Sequence, residues 1–336
     1  MKLNPIFRDH MVLQADAPIR IFGSGTGTAQ VTLAGVTAPA QTTQDAWCAE
    51  LPPMPAGGPF QLEVLLDGAR TLLEDVWLGD VLLCAGQSNM QFTMAEEITP
   101  LEEYASDEGL RIFSLDRPEG VPEGVAALRT ADGWRPCRAE EVDMWSALGY
   151  LTGRIGRGRT GRAIGIINCS QGASVIQSWM PSRDVPASVR AIPKEELYGD
   201  HSNPLYSQWN PPGFLYEQML KKLLPFSFKQ VVWYQGESNA SPAEGKCYLE
   251  LLKAMIAVWR RDFRSPSLPF TIVQIADTLP IEGWYAVQEA QAQAAQVIPG
   301  VYLAVSADIS EREMIHPVTK GPLARRIADT IWPMNP

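Results

Sequence analysis

Short apolar runs recur along the second part of the chain and predict buried strands. The runs are VLLCA (81–85), AIGIINCS (163–170), QVVWYQ (230–235), FTIVQIA (270–276) and VYLAVSA (301–307). Helical patterns separate them, and one helix is predicted within residues 247–263 because its apolar side chains fall on one face. These side chains are Tyr248, Leu251, Leu252, Met255, Ile256 and Trp259. Continuous apolar strands that alternate with amphipathic helices indicate an α/β fold, with a parallel sheet covered by helices on both faces.

The first part of the chain has a different pattern, in which strand-like runs are much shorter. The runs are IRIF, VTL, WCAEL and FQLEVLL, and Gly, Pro, Asp and Thr residues separate them. The segment GSGTGT at residues 23–28 lacks the Lys-Ser/Thr pair of a phosphate-binding loop, so a plain turn is predicted there. We therefore predict a small β-sandwich-like domain over residues 1–75 and an α/β domain over residues 76–336.

Composition excludes several classes of protein. A net charge of -10 argues against nucleic acid and anionic membranes as partners, because both require a basic surface. No apolar stretch approaches the roughly 20 residues that span a bilayer, and the opening residues have no apolar signal-peptide core. A cytoplasmic location is therefore expected. The five cysteines are widely spaced and form no CxxC pair, which indicates reduced thiols and no zinc site.

Residues that follow the predicted strands are candidates for a functional site, because ligands bind beyond the carboxyl ends of parallel strands. The first three exits are Gly86-Gln87-Ser88-Asn89, Gln171-Gly172-Ala173-Ser174 and Gly236-Glu237-Ser238-Asn239. Each exit combines small residues with polar groups. Such a combination suits polar chemistry at one edge of the sheet.

Ser88 can act as a nucleophile only if a neighbouring base takes its proton, and histidine is the usual base near neutral pH. The chain has three histidines. His10 lies in the β-rich part, and His201 lies in a loop where it could contact a substrate. His316 follows the last predicted strand, so it is expected at the same edge of the sheet as Ser88 and is the best candidate for the base. Glu313, three residues earlier, is the first candidate to orient the imidazole.

An acyl-transfer reaction also requires hydrogen-bond donors for the developing oxyanion. The candidates are the backbone N–H groups of Ser88 and Gly172 and the side-chain amide of Asn239. Met90 occupies the position of the second glycine in a GxSxG motif. The nucleophile elbow of the α/β-hydrolase fold is therefore disfavoured.

Three blocks of the sequence resemble those of the SGNH hydrolases, and specifically the sialate O-acetylesterase family. They are GQSNM (86–90), WYQGESNA (233–240) and IHPVTK (315–320). Further segments extend the resemblance, in the family's order, over nearly the whole chain: MVLQADAPIRIFGSG, GIINCSQGASVIQSW, VWRRDF, LPFTIVQIAD and VQEAQ. The resemblance implies a flavodoxin-like α/β hydrolase domain preceded by a β-domain, hydrolysis of acetyl esters on carbohydrates, and no metal or organic cofactor.

By position, the resemblance implies that Ser88 is the nucleophile, that His316 is the base, and that Gly172 and Asn239 help Ser88 to form the oxyanion hole. Two departures bear directly on this site. Gln171-Gly172-Ala173 stands where Trp-Gly-Gly is frequent in the family, and Glu313 replaces the usual Asp. Because glutamate is longer, the acid could instead be Glu311 or Asp308, or a Ser-His pair could act alone.

We predict a carbohydrate O-acetylesterase that acts by a serine acyl-enzyme double displacement, with O-acetylated sialic acid as the first candidate substrate. The side chains predicted to contact the substrate are Gln87, Gln171, Trp179, Gln235 and Glu237. A sialate enzyme should place a cation beside the pocket for the sugar carboxylate, and Arg111, Arg135 and Arg138 are candidates. The alternatives are an acetylesterase for plant hemicellulose, such as acetylated xylan or mannan, and an inactive carbohydrate-binding protein. The oligomeric state is left open.

Overall fold

The computed structural model describes residues 1–98, 105–116, 133–278, 282–311 and 313–334. The strands of these ranges are β1 (Lys2–Leu3), β2 (Val12–Gln14), β3 (Ile19–Ser24), β4 (Ala29–Leu33), β5 (Val36–Thr43), β6 (Ala46–Leu51), β7 (Gly57–Leu66), β8 (Ala69–Gly86), β9 (Asp107–Ser114), β10 (Arg135–Cys137), β11 (Ile164–Ser170), β12 (Gln230–Tyr234), β13 (Phe270–Val273) and β14 (Val301–Ala304). The α-helices are α1 (Ser88–Gln91), α2 (Ala147–Thr160), α3 (Ala187–Arg190), α4 (Phe214–Gln218), α5 (Pro242–Asp262), α6 (Glu282–Val297) and α7 (Gly321–Ile331).

Seven short 3-10 helices occupy connections within the described ranges. They are Ala139–Met144, Ile176–Trp179, Ser182–Asp184, Lys194–Glu196, Gly199–His201, Leu220–Leu223 and Glu237–Asn239. The last of these follows β12 directly, so the third predicted strand exit is a tight helical turn.

The N-terminal strands form a chain of antiparallel neighbours in the order β1-β3-β6-β5-β4-β7-β8. Strand β6 shows the alternating burial that is typical of an antiparallel sheet. Trp47, Ala49 and Leu51 are buried, whereas Ala46 and Glu50 are exposed. This alternation places every second side chain in the core. The predicted turn at residues 23–28 connects β3 with β4, and Gly25 and Gly27 in it have positive φ.

Strand β8 links this antiparallel part to the rest of the protein. Its first part pairs antiparallel with β7, and residues 80–86 pair parallel with β11, residues 82–86 also with β12. The boundary that the sequence predicts between residues 75 and 76 lies inside this continuous strand. The division into two domains stays a prediction. The strand itself gives a direct backbone connection from the N-terminal strands to the carboxyl edge of the parallel sheet.

The predicted α/β architecture is confirmed in its coarse form, with a large mixed sheet. Parallel pairs join the strands in the order β9-β11-β8-β12-β13-β14, and β10 adds an antiparallel edge next to β9. Strand β8 lies between β11 and β12, so later strands of the chain lie on both sides of it. Strands β11, β12, β13 and β14 lie within four of the five predicted apolar runs, and β8 contains the remaining run, residues 81–85. The chain reverses its direction of winding at β8, where a ligand site is expected.

Both faces of the parallel sheet are covered. Successive residues of β8 alternate between two hydrophobic cores: Val81 and Leu83 belong to the first, and Leu82 and Cys84 to the second. Helices α5 and α6 pack together over the first core, and α2 and α7 pack together over the second. The six apolar residues predicted on one face of α5 are all buried. Helix α5 begins with a Ser241 cap that accepts from the Glu244 N–H, followed by Pro242 at the first helical position.

All five cysteines are free thiols. Within the described ranges, no group of three or more His, Cys, Asp or Glu side chains is placed to hold a metal ion. Among the helices of those ranges, none has the length and apolar character that crossing a bilayer requires.

Candidate active site

Ser88 lies two residues after the carboxyl end of β8, as the first residue of α1. The preceding turn depends on Gly86, which has φ +137°, and a Cβ on this residue would lie only 2.0 Å from the carbonyl oxygen of Tyr234 in β12. Glycine is required because the two backbones approach each other here. The Gln87 N–H donates to the same carbonyl at 2.9 Å. This contact turns the chain out of the sheet and places Ser88 at its edge.

The structure brings Ser88 and His316 together. His316 Nε2 lies 2.8 Å from Ser88 Oγ, which is hydrogen-bond distance. Partial burial of the ring lowers the pKa of His316, the positive charge of Lys320 lowers it further, and Glu96 acts in the opposite direction. With a pKa below its ordinary value of 6.5, the imidazole is neutral near pH 7. A neutral imidazole can accept the proton that Ser88 donates.

Gly172 lies against Ser88, because a Cβ on Gly172 would be 3.6 Å from Ser88 Cβ. Its N–H donates to Gln91 Oε1 at 2.9 Å. Gln91 is not among the predicted site residues, although a polar residue one helical turn after the nucleophile is a usable signal. The N–H of Ser88 belongs to the first turn of α1, where the helix itself offers no acceptor.

Asn239 is fully buried and belongs to a network of amides beside the site. Its Nδ2 donates to Gln177 Oε1 at 2.8 Å and to Glu244 Oε1 at 2.9 Å. Its Oδ1 accepts from the Ile176 N–H and from Gln235 Nε2. Both amide hydrogens are therefore used inside the protein. The oxyanion role of Asn239 stays a prediction, and it requires one of these bonds to be exchanged when substrate binds.

The role of Glu313, the predicted acid, stays a prediction that no hydrogen bond of the described residues supports. Glu313 is exposed, has φ +67°, and makes no hydrogen bond with His316 in the part of the chain that the structure describes. Of the two alternatives, Asp308 forms a bidentate pair with Arg326 at 2.5 and 2.7 Å. Glu311 has one carboxylate oxygen buried without a hydrogen-bond partner among the described residues. The structure thus joins Ser88 to His316 but does not join Glu313 to either.

The other two histidines lie elsewhere. His10 pairs with Asp75 at 2.7 Å in the N-terminal part of the chain. His201 Nε2 lies 2.8 Å from Glu244 Oε1, so it supports the amide network around Asn239 and has no direct contact with Ser88 among the described residues.

The five side chains predicted to contact substrate are all buried: Gln87, Gln171, Trp179, Gln235 and Glu237. Trp179 packs edge-on against Trp233, with ring centroids 5.9 Å apart, as a core residue does. Gln87 Oε1 accepts from the N–H groups of Gly236 and Ser238, each at 3.3 Å, and so ties the third strand exit to the first. Their roles in substrate contact stay predictions, and the observed contacts are those of supporting residues.

The three arginines considered for a substrate carboxylate are bound in ion pairs on or next to β9 and β10. The pairs are Arg111 with Asp75, Arg135 with Glu141, and Arg138 with Glu108. The cation that the structure places beside the Ser88 turn is Lys320, whose Nζ donates to Asn89 Oδ1 at 2.7 Å. Burial lowers the pKa of Lys320 to about 8, so its ammonium is mostly charged at pH 7.

A serine that is hydrogen-bonded to a neutral histidine, at the carboxyl edge of a parallel α/β sheet, is the arrangement found in serine hydrolases. A family model described as "Carbohydrate esterase, sialic acid-specific acetylesterase" matches residues 78–332. The chain therefore belongs to this family of carbohydrate esterases.

Relatives and solved structures agree with this assignment. Human sialate O-acetylesterase is 29% identical over 362 residues, which cover 94% of this chain and 68% of the human protein. The rat sialate O-acetylesterase is 28% identical over 388 residues, or 95% of this chain and 70% of the rat protein. The crystal structure of a carbohydrate acetylesterase from Xanthomonas citri superposes with a TM-score of 0.82 at 29% identity, covering 98% of this chain and 74% of that chain. The resemblance seen in the sequence blocks is confirmed.

Proposed function

We propose that the protein is a carbohydrate O-acetylesterase that removes acetyl groups from sugar hydroxyls through an acyl-enzyme on Ser88. The observation that carries the proposal is the 2.8 Å contact between Ser88 Oγ and His316 Nε2 at the carboxyl edge of the sheet. Membership of the carbohydrate esterase family supports the same chemistry.

In the first half-reaction, His316 Nε2 takes the proton of Ser88 as Oγ attacks the acetyl carbonyl carbon. The tetrahedral intermediate collapses, the bond to the sugar oxygen breaks, and the imidazolium protonates that oxygen. In the second half-reaction, His316 deprotonates a water molecule that attacks the acetyl ester of Ser88. Acetate leaves, and Ser88 regains its proton from His316.

The proposed oxyanion donors are the backbone N–H groups of Ser88 and Gly172, with the Asn239 amide as a third. The position of Gly172 against Ser88 supports its role. In the free protein, the Gly172 N–H donates to Gln91 Oε1. When substrate binds, the acetyl oxygen would replace Gln91 Oε1 as the acceptor of this N–H. The exchange then costs no net hydrogen bond at Gly172.

The proposal also assigns different roles to the two parts of the chain. We place the hydrolase chemistry in residues 76–336 and assign a supporting role to residues 1–75, as a β-sandwich-like domain. The continuity of β8 across this boundary supports a stiff connection between the two parts.

O-acetylated sialic acid is the first candidate substrate, because the curated relatives that match 94–95% of this chain are named sialate O-acetylesterases. One observation favours an acetylated neutral polymer such as xylan or mannan as the second candidate. The ion pairs of Arg111, Arg135 and Arg138 leave none of these three side chains free to bind a sugar carboxylate.

Acetate release from p-nitrophenyl acetate, O-acetylated sialic acid and acetylated xylo-oligosaccharides tests the proposal. Ser88→Ala and His316→Ala should each lower kcat by roughly 10³-fold or more. The matched controls Ser188→Ala and His10→Ala alter an exposed serine and an exposed histidine and should leave kcat unchanged. Full activity in Ser88→Ala or His316→Ala would refute the assignment. Inhibition by free sialic acid favours the sialate substrate, and sugar binding without turnover by the wild type would favour an inactive binding protein.

A further inference from the structure

Besides the Ser88–His316 contact, the side chain of Asn89 connects the Ser88 turn to the loop that carries His316. Asn89, which directly follows Ser88, is buried, and its Nδ2 donates to the carbonyl oxygen of Ile315 at 2.8 Å. Ile315 directly precedes His316, and both residues are exposed and lie outside helices and strands. This hydrogen bond therefore connects the helix of the nucleophile to an irregular loop that holds the base.

The neighbours of Asn89 permit only one orientation of its amide. Lys320 Nζ lies 2.7 Å from Oδ1, and a lysine can only donate. The carbonyl of Ile315 can only accept, so it requires the amide nitrogen on its side. Glu237 Oε1 accepts a hydrogen bond from the second N–H of the amide at 2.7 Å. Both hydrogens and the oxygen of Asn89 are thus engaged, and rotation of the amide would break all three bonds.

A buried lysine and a buried glutamate both bond to this amide. Lys320 is fully buried, and its ammonium also lies over the rings of Phe92 at 4.6 Å and Tyr234 at 5.5 Å. Glu237 is 2% exposed. Buried polar groups are stable only with hydrogen-bond partners, and Asn89 bonds to both of these side chains. Asn89, Lys320 and Glu237 thus form a buried hydrogen-bonded cluster, and Asn89 joins it to the loop of His316.

We propose that Asn89 is a positioning residue for the catalytic base, and that its bond to Ile315 keeps His316 Nε2 within hydrogen-bond distance of Ser88. The inference rests on the proposed function of Ser88 and His316. Among the described residues, no carboxylate bonds to the His316 ring, so the ring takes its orientation from its loop. Asn89 then helps to hold the imidazole in its orientation, a role that the acid behind the histidine has in other triads.

Steady-state kinetics of Asn89→Ala test the inference, because kcat and KM are expected to respond differently. Both half-reactions use His316, so kcat and kcat/KM should fall together by about 10–100-fold, because displacement of a reacting group by about 1 Å has that effect. KM should stay nearly constant, since Asn89 holds the base and not the sugar. The matched control is Gln14→Ala, which removes a buried amide with two 2.8 Å hydrogen bonds near the start of the parallel part of β8. It should lower Tm and leave kcat unchanged.

The variant Asn89→Asp separates packing from positioning. It preserves the volume and the acceptor for Lys320, but it loses the donor to Ile315 and places a carboxylate beside Glu237. The double variant N89D/E237Q removes this repulsion, so its Tm should approach that of the wild type while its kcat stays as low as that of Asn89→Ala. Wild-type kcat in Asn89→Ala or in N89D/E237Q would overturn the inference. Full activity in Ser88→Ala would instead overturn the proposed function, so the two failures are distinct.

Discussion

Replacement of Gly86 by alanine tests whether the position of the nucleophile depends on the close approach of β8 and β12. The added Cβ would lie 2.0 Å from the Tyr234 carbonyl oxygen and 2.6 Å from its carbon. Ordinary contacts begin near 3.4 Å, so the distance to the oxygen is short by about 1.4 Å. Either the strands separate or Gly86 leaves its φ of +137°, and both changes break the hydrogen bond from the Gln87 N–H to Tyr234.

The expected cost follows from three contributions. A lost backbone hydrogen bond costs about 1 kcal/mol, the strained backbone conformation about 1–3 kcal/mol, and overpacking about 1–3 kcal/mol. Gly86→Ala should therefore reduce the free energy of unfolding by about 3–7 kcal/mol, a large part of the roughly 5–15 kcal/mol that stabilises a typical domain. Ser88 is two residues further on, so a displacement of about 1 Å should lower kcat/KM by roughly 10²-fold.

Urea unfolding and the hydrolysis of p-nitrophenyl acetate measure the two effects separately. The matched control is Gly68→Ala, because Gly68 also has a positive φ of +84° but has no atom within 4 Å of the added Cβ. This control carries only the conformational cost of about 1–2 kcal/mol and should keep wild-type kcat/KM. The reasoning is refuted if Gly86→Ala matches Gly68→Ala in both stability and activity.

Glu313→Gln should retain most of kcat/KM, because Glu313 is exposed and makes no hydrogen bond with His316 among the described residues; a loss as large as that of His316→Ala would establish Glu313 as the acid. Lys320→Met should move the acid limb of the kcat/KM pH profile to higher pH, even though kcat itself falls. The charge of Lys320 helps to lower the pKa of His316, so its removal raises that pKa, and an unmoved limb would contradict this account. Glu244→Gln should destabilise the protein more at pH 7 than at pH 3, as measured by thermal unfolding. Burial raises the pKa of Glu244, but the hydrogen bond with His201 and further contacts outweigh burial and lower it below 4.5. Ionised Glu244 therefore stabilises the fold above about pH 4.5, and this contribution is lost as the pH falls through the folded pKa; equal destabilisation at both pH values would count against it.

The strands and helices of the parallel sheet could be predicted well because burial on both faces requires continuous apolar runs. Helix α5, for example, buries the six side chains expected of it. The continuity of β8 could not be predicted, because Glu74, Asp75 and Asp80 interrupt its apolar pattern. Asp80 is nevertheless buried, since its carboxylate accepts from the Trp332 indole at 2.7 Å, and Trp332 is 252 residues away in the chain.

The candidate site was predictable in its reacting pair and less so in its support. Ser88 and His316 follow strands, and the carboxyl ends of parallel strands meet at one edge, so local patterns were sufficient to bring them together. The sequence also placed Glu313 at a plausible spacing from His316. In the described part of the chain, Glu313 has a positive φ and an exposed side chain, and no hydrogen bond joins its carboxylate to the ring.

The sequence by itself determined the α/β class, the strand exits, the family, and the pair Ser88 and His316, because periodicity and local motifs carry this information. Only the tertiary structure decided which side chains hold that pair in place. Asn89, Lys320 and Glu237 come from three separate elements, and the direction of each hydrogen bond depends on the distances between them. Such contacts join residues up to 231 positions apart in the chain. A local sequence pattern therefore cannot predict which donor bonds to which acceptor.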